Sequence, residues 1–160
     1  AFVGPVTLTR RTTYTFTKFL RKNKINKRMT SIQGYVYLNF EEAEANKNKG
    51  NESFRSENFD EAISYYTKAI NLAESDSRDL ATYLKNRAAA FLKIKQYEKA
   101  INDCDESLRI VPEDPKALFR RSQALENLER FEEAYRDAKA VLIVEPTNKV
   151  IQPVLAHTLL

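Results

Sequence analysis

Five residues of anion-binding type stand in this 160-residue chain at spacings that can bring them together. Lys47 and Asn51 are four apart, and so are Lys116 and Arg120, so each pair shares a face wherever its segment is helical; Asn86 lies between the pairs. Three cations and two amides, with no acid among the five, suit an extended peptide that ends in a free carboxylate beside an acidic side chain. Each cation can make a charge-assisted hydrogen bond, and each Asn can hold a carboxylate oxygen or a backbone group. Such bonds contribute roughly 1.5 to 3 kcal/mol each when partly desolvated. Four or five together reach about −7 to −8 kcal/mol after the entropy of association, which is micromolar affinity.

Other chemistry has few residues to work with. One cysteine, Cys104, excludes an internal disulfide framework, and one histidine, His157, leaves no zinc-type spacing and no means of assembling most catalytic dyads. Asp103, Asp105 and Glu106 crowd one short stretch, but they are expected to face outward from a helix with no base or metal nearby. No catalytic residue, metal ligand or cofactor site is assigned. No apolar run approaches the roughly 20 residues needed to cross a bilayer.

The charge divides unevenly. Lys and Arg number 26 against 22 Asp and Glu, a formal +4, yet the first 30 residues hold eight of the bases and no acid. Residues 31–160 therefore carry 18 bases against 22 acids, or −4, which argues against nucleic acid as the partner of the folded part. The head, AFVGPVTLTRRTTYTFTKFLRKNKINKR, is not a secretory signal. Its basic, hydroxyl-rich composition overlaps with that of mitochondrial presequences. The alternative is that residues before Met29 reflect where the coding region was taken to begin. Residues 1–40 are expected to be a basic, disordered extension, and 41–160 one cytosolic domain.

The elements that position the five residues repeat. FDEAISYYTKAI from Phe59, YEKAINDCDESL from Tyr97 and FEEAYRDAKAVL from Phe131 share an aromatic, an acid and an Ala at fixed offsets of 38 and then 34 residues. Pro112 and Pro146 are also 34 apart, and NKGNESF, KNRAAAFL and FRRSQAL precede the three segments at matching distances. Ile63, Tyr66, Ile70, Phe91, Ile101, Leu108, Leu118, Leu125 and Val141 fall at helical spacing and read as core.

These residues resemble the tetratricopeptide repeat, a 34-residue helix-turn-helix unit. The resemblance implies an all-α, right-handed superhelical solenoid of three repeats, at 43–76, 81–114 and 115–148, closed by a capping helix over 149–160. Gly50, Ala88 and Ser122 take the small position of each first helix; Ala62, Ala100 and Ala134 take that of each second helix. The four residues from Ser77 to Leu80 are extra and are expected to lengthen the second unit's first helix. Glu74 stands where a closing proline is expected, predicting a less sharp end to the first unit's second helix. Because the chain stops on apolar residues at Leu160, it is expected to continue into a longer protein.

Lys47, Asn51, Asn86, Lys116 and Arg120 also match, residue by residue, the dicarboxylate clamp of co-chaperone tetratricopeptide domains. That resemblance implies binding of the C-terminal EEVD of the ninety- or seventy-kilodalton heat-shock chaperone. In it the first Lys, both Asn and the third-repeat Lys hold the terminal aspartate's two carboxylates, and the Arg helps hold the upstream peptide. Phe54, Ala89 and Lys93 are further candidates for upstream contacts. KNRAAAFLK, DPKALFRRSQALE, FEEAYRDA and EPTNKVIQPVL look like the N-terminal domain of UCS-family myosin co-chaperones. There, myosin is engaged by an armadillo-like domain that these residues do not include. The alternative is a clamp in another adaptor, such as a mitochondrial-import receptor.

Overall fold

The computed structural model describes residues 31–148 and residue 151. Six helices run through them: α1 (Ser31–Arg55), α2 (Phe59–Leu72), α3 (Arg78–Lys93), α4 (Tyr97–Ile110), α5 (Pro115–Asn127) and α6 (Phe131–Val144). No strand occurs among the described residues. The chain divides between Glu41 and Glu42. The described residues of the first part belong to the start of α1, where the Tyr37 hydroxyl donates to Glu41 at 2.8 Å. The second part carries the repeats. Helix α1 begins at Ser31, ahead of the expected boundary at 41, because no proline interrupts SIQGYVYLNFEEAEA. The expectations for residues 1–30, presequence-like or artefactual, lie outside the described residues.

Element ends recur with the sequence period. Helices α1, α3 and α5 end at Arg55, Lys93 and Asn127, spaced by 38 and 34 residues. Each is followed two residues later by a residue in the left-handed region: Glu57 (φ 63°), Lys95 (φ 59°) and Glu129 (φ 59°). The next N–H in each case reaches back across the last turn, Asn58 to Ser53, Gln96 to Phe91 and Arg130 to Leu125, all at 2.9 Å. This is a Schellman closure built without glycine.

The starts are capped where the sequence provides a cap. Ser77 Oγ accepts from the Leu80 amide at 3.1 Å and lets α3 begin three residues earlier than α5 does in its own repeat, as the extra residues predicted. Asp114 accepts from the Lys116 and Ala117 amides at 2.9 and 3.1 Å, with Pro115 at the first helical position of α5. The absent proline of repeat 1 changes nothing. Helix α2 is 14 residues long, the same as α4 and α6, and its cap Ala73 turns to extended backbone (ψ 147°). The expectation of a less sharp end is therefore overturned. In the other repeats the proline stands two residues beyond a helix that has already ended.

Consecutive helices pack in pairs from α2 to α6, and α3 also lies against α5. Close approach depends on the small residues: Ala62, Ala88, Ala100, Ser122 and Ala134 are fully buried. A Cβ on Gly50 would sit 2.6 Å from Tyr66 Cε1, so α1 meets α2 there with no room for a methyl group. Tyr66, Phe91, Ile101, Leu108, Leu118, Leu125 and Val141 are buried as expected, and Ile63 and Ile70 pack on the core from its edge. The capping helix expected over 149–160 lies outside the described residues except for Ile151, which is fully buried in the core cluster.

Arginines staple the hairpins at one repeated place. Arg87 grips Asp103 with two bonds of 2.8 and 2.7 Å and reaches Thr67 on the preceding hairpin at 2.9 Å. Exactly one period on in sequence, Arg121 grips Asp137 with two bonds of 2.7 Å and reaches Asp105. In repeat 1 the pair is Lys49 over the Tyr65 ring, 5.7 Å from its centroid. Asp103 is thus buried and paired, correcting the expectation that it faces outward. Burial pushes its carboxyl above the usual range in spite of Arg87.

Candidate functional site

The first helices of the three hairpins carry the candidate residues. Lys47, Asn51 and Phe54 lie at helical spacing on α1, Asn86, Ala89 and Lys93 on α3, and Lys116 and Arg120 on α5. Five of the eight, Phe54, Ala89, Lys93, Lys116 and Arg120, line one cavity of about 550 Å³. Lys47, Asn51 and Asn86 do not line it. Asn51 and Asn86 sit three residues before Phe54 and Ala89, one turn toward the N-terminal end of the same helix faces.

Leu92, Lys95, Tyr97, Phe119, Gln123 and Asn127 complete the cavity and were not anticipated. A signal existed for two of them. Gln123 and Asn127 follow Arg120 by three and seven residues, which continues its face of α5. Lys95 comes from the α3–α4 turn and Tyr97 opens α4; the direction of that turn depends on the left-handed Lys95. The lining includes Lys93, Lys95, Lys116 and Arg120 and no acid. Among the described residues, no acid lies within ion-pair distance of the three lysines.

The remaining polar groups are held in place. The Tyr66 hydroxyl donates to Asn51 Oδ1 at 2.8 Å, which leaves the Asn51 Nδ2 hydrogens for an acceptor. Burial raises the Tyr66 phenol above its ordinary pKa, so it stays a donor at neutral pH, although Arg120 and Arg55 pull the other way. Lys47 Nζ donates to Glu44 Oε2 at 2.6 Å, while Tyr83 donates to Glu44 Oε1 at 2.8 Å. Burial acts to raise the Glu44 carboxyl, but Lys47 and Tyr83 outweigh it and hold it low. A ligand carboxylate at Lys47 therefore shares that ammonium with Glu44.

Arg120 differs from Lys47. Its guanidinium donates to the Lys85 backbone carbonyl and has no carboxylate partner among the described residues. Burial pushes its pKa below the ordinary arginine value, with Cys104, Asp114 and Tyr66 opposing. Arginine stays charged regardless, so the groove keeps a half-buried cation that an incoming anion would stabilise. Lys85 meanwhile pairs with Asp114, the N-cap of α5. One residue of α3 thus fixes both the start of α5 and the Arg120 side chain.

The arrangement has the charge and the donors to hold an extended anion. Cys104 is buried, and burial pushes its thiol up to about 12, so it is protonated at neutral pH. No group of three or more metal-ligating side chains occurs among the described residues. No helix among them is long and apolar enough to cross a membrane.

Residues 40–113 match the tetratricopeptide repeat family. Mitochondrial import receptor subunit TOM70 of Homo sapiens is 40% identical over 104 residues, covering 64% of this chain, and the matched region spans 17% of that protein's length. Protein unc-45 homolog B of Danio rerio is 38% identical over 104 residues, covering 64% of this chain and 11% of the relative. Among solved structures, the first TPR of Spaghetti (RPAP3) bound to HSP90 peptide SRMEEVD is 32% identical, with a TM-score of 0.69 over 74% of this chain and 91% of that one. The second TPR domain of human RPAP3, in complex with HSP70 peptide SGPTIEEVD, is 31% identical, with a TM-score of 0.67 over 77% of this chain and 97% of that one. With its period, its stacked hairpins and its similarity to nearly the whole length of these domains, the chain belongs to the tetratricopeptide-repeat family.

Proposed function

We propose that the groove binds the acidic C-terminal peptide, ending in EEVD, of the ninety- or seventy-kilodalton heat-shock chaperone, and that the chain is the chaperone-tethering part of a longer cytoplasmic adaptor. The observation that carries this reading is the acid-free cavity holding Lys93, Lys95, Lys116 and Arg120. The RPAP3 domains bound to SRMEEVD and SGPTIEEVD support it. In this reading Lys47, Asn51, Asn86 and Lys116 take the terminal aspartate's two carboxylates, and Arg120 takes the peptide upstream. Phe54, Ala89 and Lys93 contact the residues before EEVD. The mechanism is tethering: the adaptor brings the chaperone to a client held by another part of the protein.

Calorimetric titration with SRMEEVD tests it. Lys116→Ala or Arg120→Ala should weaken binding about 10- to 100-fold, one charge-assisted bond each, with the circular-dichroism spectrum unchanged. Unchanged affinity in both variants sinks the assignment. A C-terminally amidated peptide should also bind far more weakly, because one of its two gripped carboxylates is gone.

Two finer readings differ in the client. Similarity to unc-45 homolog B supports a myosin co-chaperone, in which myosin contacts belong to a domain outside this chain. Similarity to TOM70, together with eight bases and no acid in residues 1–30, supports a mitochondrial-import receptor with the same groove. Fusing residues 1–30 to a fluorescent reporter separates them: organelle targeting favours import, and diffuse fluorescence removes that support.

A further inference from the structure

SRMEEVD and SGPTIEEVD share their last four residues and carry an apolar residue fifth from the end. Their charge first differs at the sixth position, Arg in one and Thr in the other. The groove has a matching asymmetry. Lys93 ends α3, and Lys95 follows in the turn, both exposed and both on the cavity wall. Neither has an acid within ion-pair distance among the described residues. Lys95 stands on fixed backbone, since its amide bonds to the Leu92 carbonyl at 3.1 Å and the next amide to Phe91 at 2.9 Å.

Length places the sixth residue near these two lysines. Asn86, assigned to the terminal carboxylate, is seven residues before Lys93, which is about 10 Å along a helix axis. An extended peptide covers that distance in roughly three residues, so the fourth residue from its C-terminus draws level with Lys93, and the sixth, about 7 Å further on, falls within reach of the long side chain of Lys95 beyond the helix end. Glutamate at the fourth position is attracted there. Arginine at the sixth meets like charge.

We propose that Lys93 and Lys95 make the groove selective for acidic tails whose sixth residue from the C-terminus is uncharged, rejecting a cation there by repulsion. This rests on the peptide-binding reading above and adds to it the choice between two tails with a common ending. Two exposed like-charge contacts are expected to amount to about a fivefold preference.

The test is calorimetry of the chain with SGPTIEEVD, SRMEEVD and the altered peptide SAMEEVD. SAMEEVD should bind about five times more tightly than SRMEEVD, and Lys93→Glu with Lys95→Glu should close or reverse that gap. Both side chains are exposed and have no hydrogen-bond partner among the described residues, so folding is not at stake, and circular dichroism verifies this. Equal affinities of SAMEEVD and SRMEEVD, or a gap untouched by charge reversal, overturn the selectivity while leaving the peptide-binding reading standing. Failure of all three peptides to bind defeats both.

Discussion

A methyl group on Gly50 would meet the Tyr66 ring at 2.6 Å, and that ring is buried and tied by its hydroxyl to Asn51. Gly50→Ala gains about 1 kcal/mol in helix propensity but forces the ring aside at a cost of about 1 to 3 kcal/mol. The net effect is expected to be a lower melting temperature and, because Asn51 moves with Tyr66, weaker peptide binding. Thermal melts and peptide titration measure the two effects. Asp114 allows a separate test by pH. Burial acts to raise its carboxyl, but the Lys85 ammonium and the Ala117 and Lys116 amides outweigh that and hold it below the ordinary range. The unfolded chain therefore takes up this proton more readily. The stability it brings is fully present above the ordinary carboxylate value and is lost as pH falls through the lower folded value. Asparagine caps a helix as well as aspartate does, so Asp114→Asn isolates the ion pair. It should cost about 1 kcal/mol at pH 7 and flatten the loss of stability below pH 4, as read by urea denaturation. Residue types and helical spacing were enough to nominate Lys116 and Arg120. Glu44 beside Lys47 and the Lys85 carbonyl under Arg120 were not legible, because each depends on a rotamer or a contact between helices.

At the scale of elements, the period announced the hairpins, and the small residues announced where they touch. The turns were harder to read. A left-handed residue after a helix is ordinarily signalled by glycine, whereas Glu57, Lys95 and Glu129 occupy that position here, so the turn that carries Lys95 into the cavity left no mark in the sequence. The staples were hidden for a different reason: Arg87 and Asp103 are 16 residues apart on two helices, a separation that no single-helix periodicity reveals. Their repetition allows an internal test. Thr67 receives Arg87 where Asp105, one period later, receives Arg121. Thr67→Asp should convert the first contact into the second and stabilise the fold by about 0.5 kcal/mol, raising the melting temperature at low salt and losing the gain at high salt. No change at low salt would mean that the two contacts are not equivalent.

For the whole molecule, net charge is a poor guide and its placement a good one. Residues 31–160 are acidic by four, yet the cavity wall is cationic and without acids. Association with an acidic peptide should accordingly weaken as salt rises, by about tenfold between 50 and 500 mM, whereas a chiefly apolar interface would hold or strengthen. Titration at the two salt concentrations decides between them. The staples bear on this as well. Stability in a stacked-repeat chain is nearly a sum over units and their interfaces, and the first interface has a neutral acceptor, Thr67, where the second has an ionic one, Asp105. The α1–α2 hairpin is therefore expected to loosen first on warming, as hydrogen exchange of its amides would show. Lys47 and Asn51 ride on that hairpin, while Lys116 and Arg120 stay with α5. A partly opened molecule keeps one jaw and loses the other, and its grip on a ligand scales with the fraction of molecules still closed. With threonine rather than a carboxylate at position 67, the proposed grip on peptide should therefore fall off below the melting temperature of the fold, which titration at rising temperature measures.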